Sequence, residues 1–148
     1  MDPLSEKLLA VQNECTLCWT TQRGTPAATI VSFAYYDGSL WMAALEGSAR
    51  VRRISAQPQC AIVISGKGTD LGSACCVSMQ GICEIIDDVA ERDRFFPAFA
   101  TAVLPNSERG AARMAAMMNS PENLVLRFTP DRIIPYDASA AMANANQP

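Results

Sequence analysis

Three arginines, Arg50, Arg52 and Arg53, fall within four positions in the stretch LEGSARVRRISAQPQ at 45–59. Gly47 and Ser48 stand just before them, where an apolar strand-like run at 40–45 gives way to the helical spacing of Val51 and Ile54. A helix N-terminus presents unpaired backbone N–H groups and a partial positive charge. Gly47 allows a close backbone approach, and Ser48 offers a hydroxyl at the cap. Arg50 and Arg53, three apart, share a helical face, while Arg52 points elsewhere. Glycine, hydroxyl, N–H groups and guanidinium together suit one dianionic phosphate. The competing reading is a solvated helix face, on which such clusters are common.

Other reactive side chains point to less. The chain has six cysteines and no histidine. Cys15 and Cys18 form a C-x-x-C, but in a strand-like segment, where residues three apart point to opposite faces. Cys75 and Cys76, as strand neighbours, diverge as well. Core thiols are therefore the reading, in preference to zinc, a disulfide or a redox pair. Without histidine there is no histidine general base and no histidine-based triad. Asp87, Asp88 and Glu91 read as the start of a helix. Trp19 and Trp41 read as core, with stacking on a flat ligand as the alternative.

Charge narrows the partners. A net charge of −3 argues against nucleic acid or an anionic membrane as the target and leaves the arginine cluster as a local exception. No run of about twenty apolar residues is present. The N-terminal segment carries Asp2, Glu6 and Glu14 and lacks a basic start before an apolar core, so it does not resemble a secretory signal, and a cytoplasmic location is expected.

The elements that must hold the arginines follow from periodicity. A first amphipathic helix carries Pro3 in its first turn and the stripe Leu4, Leu8, Leu9 and Val11. Strands are predicted at 15–22, 27–36, 39–45, 59–65, 74–87 and 123–137. Asp37-Gly38 marks a hairpin, Pro58 ends the arginine helix, and the continuous apolar run 59–65 reads as buried on both faces. Gly81 predicts a bulge or bend, and Pro130 a bulge or an edge. Residues 88–119 read as two helices split at Pro105 and Asn106, capped by Asp87 or Asp88 and by Ser107. The expected fold class is α+β: a mostly antiparallel, six-stranded split β-barrel with peripheral helices, one domain over 1–137 and a frayed tail over 138–148.

The order of these motifs resembles the FMN-binding split barrels of the pyridoxamine 5'-phosphate oxidase-like superfamily. It runs from Gly24-x-Pro26 through a long strand, Asp37-Gly38, a second strand, Ser48-x-Arg50 with Arg53, and Pro58 to an apolar strand. VSMQGICEI at 77–85 resembles the family's strand with a central glycine, and VLRFTPDRIIPYD at 125–137 its terminal strand. The likeness covers about residues 10–137.

That resemblance implies that Thr29, Ile30 and Val31 contact the ring and ribityl chain of FMN and that Met42, Ala43 and Ala44 line the opposite strand. It implies phosphate binding by Ser48, Arg50, Val51 and Arg53. It also implies a homodimer with the cofactor at the interface, and flavin-dependent oxidoreduction of a small-molecule substrate or electron donor with no named catalytic side chain. The alternatives are a deazaflavin, a haem-binding barrel, which the lack of histidine disfavours, a non-enzymatic flavin or stress protein, and a cofactor-free interaction module. The chain departs from true pyridoxamine phosphate oxidases in lacking histidine and a basic C-terminal motif. It also departs in carrying Ala49 where a second basic residue is frequent, and in placing Cys76 near the position of a polar residue that reaches the partner's flavin. Vitamin B6 oxidation is therefore not the expected reaction.

Overall fold

Asp2 starts the first helix: its carboxylate accepts the Ser5 N–H at 3.0 Å, and the polar groups of Ser5, its side chain first and its N–H second, hold that carboxyl below the usual carboxylate range. In this computed structural model, which describes residues 1–145, helix α1 (Pro3–Val11) then buries Leu8 and Leu9 in the core. Seven strands follow among the described residues: β1 (Glu14–Thr20), β2 (Pro26–Ser32), β3 (Ala34–Tyr36), β4 (Ser39–Leu45), β5 (Gln59–Ser65), β6 (Cys75–Ile86) and β7 (Asn123–Asp137). Helix α2 (Ala49–Ala56) lies between β4 and β5, while α3 (Val89–Val103) and α4 (Glu108–Met118) separate β6 from β7. The sheet order is β2–β1–β5–β6–β7–β4–β3, and every pairing is antiparallel.

The seventh strand arises because the predicted strand 27–36 changes partner at Phe33. Before it, β2 pairs with β1 at one margin of the sheet; after it, β3 pairs with β4 at the other. Phe33 is buried, and its N–H donates to the Asn13 carbonyl at 2.9 Å, outside both ladders. One residue thus joins the two margins and curls the sheet into a split barrel. Within it lie Leu17, Met42, Ile62, Ile64, Val77, Met79 and Phe128. A second cluster packs Trp41 and Val125 from the sheet against Phe95, Phe96 and Phe99 of α3.

Local signals shape the turns as expected. Asp37 (φ 52°) and Gly38 (φ 71°) both take positive φ in the two-residue β3–β4 loop, the requirement of a type I′ hairpin. The Asp37 carboxylate accepts from Arg94 at 2.5 Å, which holds its carboxyl below the usual range. At Gly81 the β6–β7 register shifts, so that Gln80 pairs with Arg132 and Gly81 with Pro130, with Asp131 as the extra residue. A Cβ there would run into the Thr129 carbonyl oxygen and lie 2.9 Å from Pro130 Cα.

Two expectations are corrected. Strand β5 is not buried on both faces: Cys60, Ile62 and Ile64 point inward, while Gln59, Val63 and Ser65 are exposed, because none of the described residues covers the outer face. In the predicted tail, Ser139–Ala145 form an exposed helix α5, started by the Asp137 carboxylate accepting the Ser139 N–H at 2.8 Å and favoured by alanine. The remainder of that tail, 146–148, lies outside the described residues. No described helix is long and apolar enough to cross a membrane.

Gly81→Ala is expected to cost about 1–3 kcal/mol, the scale of a forced overpacking, because backbone on β7 must move to admit one methyl group. Urea denaturation of the variant and the parent checks this, with a lowered midpoint at unchanged slope as the expected result.

Candidate cofactor site

The approach to α2 is built by three residues. Gly47 takes φ 74° with open space where a Cβ would stand, so backbone conformation, not crowding, demands glycine. Ser48 is the N-cap, and its hydroxyl accepts the Val51 N–H at 3.4 Å. Because the first N–H groups of a helix have no partner within it, those of Ala49 and Arg50 face outward from the turn. Val51 and Ile54 dock the helix onto the barrel core, so Val51 offers no side-chain surface to a ligand.

The arginines divide differently from the pairing that helical spacing suggests. Arg53 Nε donates to the Thr20 carbonyl at 3.2 Å, and Arg53 Nη2 to Gln57 Oε1 at 3.2 Å, tying the helix to the end of β1. Arg52 Nη1 bonds back to the Gly47 carbonyl. Arg50 is half-buried, and its Nε is closed off from solvent without a partner among the described residues. An orphaned guanidinium N–H of this kind loses its hydration and gains nothing in return.

Residues of β2 and β4 lie along strand edges near this helix's approach. β2 pairs only with β1, leaving its other edge unpaired. β4 pairs with β7 along its length but with β3 only as far as Trp41, so its other edge is unpaired from Met42 to Leu45. The two strands come near each other. The main chains of Thr29, Ile30 and Val31 and of Met42, Ala43 and Ala44 thus border a seam that ends where α2 begins. Their side chains diverge: Ile30 is 68% exposed, Met42 and Ala44 fill the barrel core, and Ala43 faces the α3 cluster.

The outer face of the sheet carries an apolar row that sequence reading did not foresee. Register aligns Ile30, Thr16, Val63, Ser78 and Ile134 across five strands. Ile30, Val63 and Ile134 are all exposed, and Tyr136 extends the patch. Adjacent to it, at the Gly81 bulge, opens a cleft of about 420 Å³ bordered by Cys18, Trp19, Cys60, Gln80 and Asp131. Trp41 is enclosed by α3 and stacks on Tyr36 at 4.8 Å between ring centres, leaving no face for a ligand. Cys15 points inward, where burial pushes its thiol up to about 12, while Cys18 is half-buried on the opposite face.

A family model described as pyridoxamine 5'-phosphate oxidase matches residues 1–136. No curated protein matches the sequence significantly. Among solved structures, a conserved hypothetical protein from Mycobacterium tuberculosis superposes with a TM-score of 0.80 at 17% identity, covering 96% of this chain and 88% of that one. A FAD-binding protein from Mesorhizobium loti superposes at 0.67 with 18% identity, covering 94% and 96%. An F420 reductase superposes at 0.65 with 17% identity, covering 87% and 94%. At these identities the likeness establishes the fold.

Proposed function

Because the chain belongs to the pyridoxamine 5'-phosphate oxidase family, we propose that it binds FMN along the β2–β4 seam and acts as a homodimeric, flavin-dependent oxidoreductase. The observation that carries this reading is the orphaned Arg50 Nε, next to helix N–H groups and at the end of a seam with two unpaired strand edges. Buried polar groups in a folded protein are normally satisfied, and a phosphate oxygen would satisfy this one. The FAD-binding relative and the F420 reductase support a flavin-like ligand, F420 being a deazaflavin.

Each residue has a stated task. Arg50, Ser48 and the N–H groups of Ala49 and Arg50 hold the phosphate. Arg53, fixed to Thr20, positions the helix and gives the phosphate its long-range charge only. The free main-chain donors and acceptors of Ile30 and Ala43 meet the polar edge of the ring, the backbones of Thr29 and Val31 being bonded to β1 and those of Met42 and Ala44 to β7, while the buried Met42 and Ala44 side chains form an apolar floor beneath. The cofactor supplies the two-electron chemistry, and the protein needs no acid or base of its own for it. Exposed Ile30, Val63 and Ile134 form the face for the second subunit, which closes the site against water. A deazaflavin is the second reading, favoured by the F420 reductase likeness.

Extraction of the purified protein and chromatographic identification of the chromophore separate FMN from F420, and a colourless protein indifferent to both would refute the reading. With FMN, Arg50→Ala is expected to weaken binding by about 1.5–3 kcal/mol, the scale of a charged hydrogen bond, and Arg52→Ala by far less; equal effects in a fluorescence titration would contradict the assigned phosphate site. Sedimentation is expected to give a dimer for the parent and a monomer for Val63→Glu, since a charge placed in an apolar interface is not compensated.

A further inference from the structure

Two helices end at one hollow that the cofactor reading leaves unused. The hollow measures about 520 Å³ and is bordered by the last turn of α1, by Gln12 and Asn13, by Phe33 and Tyr35, and by the end of α3 at Ala102. Asn13 joins the two helix ends: its Nδ2 donates to the Ala102 carbonyl at 2.8 Å. The Asn13 main-chain carbonyl accepts the Phe33 N–H at 2.9 Å, so the point where β2 gives way to β3 is fixed against the same wall.

Electrostatically the hollow is uncompensated. The last carbonyls of a helix have no intrahelical partner and carry a partial negative charge, which Lys, Arg or His in the last turn commonly meets. Neither α1 nor α3 has a basic residue there. The Gln12 N–H donates to the Leu8 carbonyl, and beyond it the carbonyls of Leu9, Ala10 and Val11 accept no hydrogen bond among the described residues. Side-chain oxygens add to them. Gln12 Nε2 donates to the Ser65 and Lys67 carbonyls at 2.6 and 2.9 Å, and its Oε1 meets no donor among the described residues; neither does Asn13 Oδ1. Lys7 and Lys67 border neighbouring hollows, and the Tyr35 phenol is the one ionisable group that borders this one among the described residues.

Oxygen acceptors at two negative helix ends select a cation, and the walls select its kind. No carboxylate of the described residues borders the hollow, so a divalent metal ion would lack its usual ligands. A volume of this order fits an organic ligand. Val11 and Tyr35 are 55% and 36% exposed and offer an aliphatic side chain and an aromatic ring. We propose that this hollow binds a primary alkylammonium group. Its three N–H donors take the Gln12 and Asn13 amide oxygens and the last carbonyls of α1, and its alkyl stem lies against Val11 and Tyr35. The assignment does not depend on which cofactor the seam holds.

The test is a titration of the full chain with n-butylammonium at pH 7 and constant ionic strength, followed through the side-chain amide resonances of Gln12 and Asn13 in nitrogen–proton NMR spectra. At that pH an alkylamine is charged. Both resonances are expected to shift saturably with butylammonium. They should respond far less to n-butanol, which lacks the charge, and to tetramethylammonium, which lacks N–H donors. Ala10 is exposed in the last turn of α1, where a helix accommodates Lys or Glu. Ala10→Lys supplies the missing cation and is expected to weaken binding about fivefold, and Ala10→Glu to strengthen it about as much, the scale of one charge at a helix terminus. Opposite changes at one exposed position separate an electrostatic site from a structural effect. Should either variant fail to fold, the comparison of ligands in the parent protein decides. An equal response to potassium ions or to n-butanol, equal affinity in the parent and Ala10→Lys, or no saturable shift at Gln12 and Asn13 would overturn the proposal.

Discussion

Two strand edges that approach without pairing are the constraint on which the rest of this molecule turns. A closed barrel would satisfy the backbone of β2 and β4 internally, but the partner change at Phe33 withdraws β3 from β4 beyond Trp41 and leaves both edges open. Open edges invite pairing with another chain, and unpaired backbone groups are costly once removed from water. A flat ligand with a polar rim, as proposed, would resolve both difficulties. The helix that starts at the end of β4 would then supply charge for the ligand's far end.

The same economy explains the unequal arginines. Each guanidinium on α2 could have been a surface charge of little consequence. Arg52 instead closes over the Gly47 carbonyl, and Arg53 fastens the helix to β1. These bonds fix the helix axis and its N-terminus, so Arg50 is held half-buried with its Nε lacking an acceptor among the described residues. Holding a desolvated donor ready costs folding free energy and removes that cost from binding, which is how a preorganised anion site gains affinity. The bulge at Gly81 contributes at a distance. By bending β6 against β7 it helps to curl the sheet.

What could be read from sequence was what depends on near neighbours. Asp37-Gly38, the Ser48 cap and the Gly81 bulge are set by the conformational range of single residues, and each lies where its chemistry predicts. The split at Phe33 was not legible, because β-branched and aromatic residues run on without a break through 27–36 and only the distant partners β1 and β4 end the strand. The commitment of Arg53 was hidden for the same reason: its acceptor, Thr20, is 33 positions away. Val63 looked like a core residue because an unbroken apolar run reads as a strand covered on both faces, and nothing in the residue types marks which face the fold leaves bare.

The account rests most heavily on a phosphate gripped by Arg50 and the α2 N-terminus, and phosphorus NMR of FMN bound to the protein reports on that contact directly. Free phosphate monoesters take up their second proton near pH 6, about where the resonance shifts. A phosphate held by a guanidinium and helix N–H groups should stay dianionic, with its resonance unmoved from pH 8 down to about 5.5, because nearby positive charge stabilises the charged form. A bound resonance that titrates as free FMN does would mean that the phosphate lies in solvent, and would contradict the central claim.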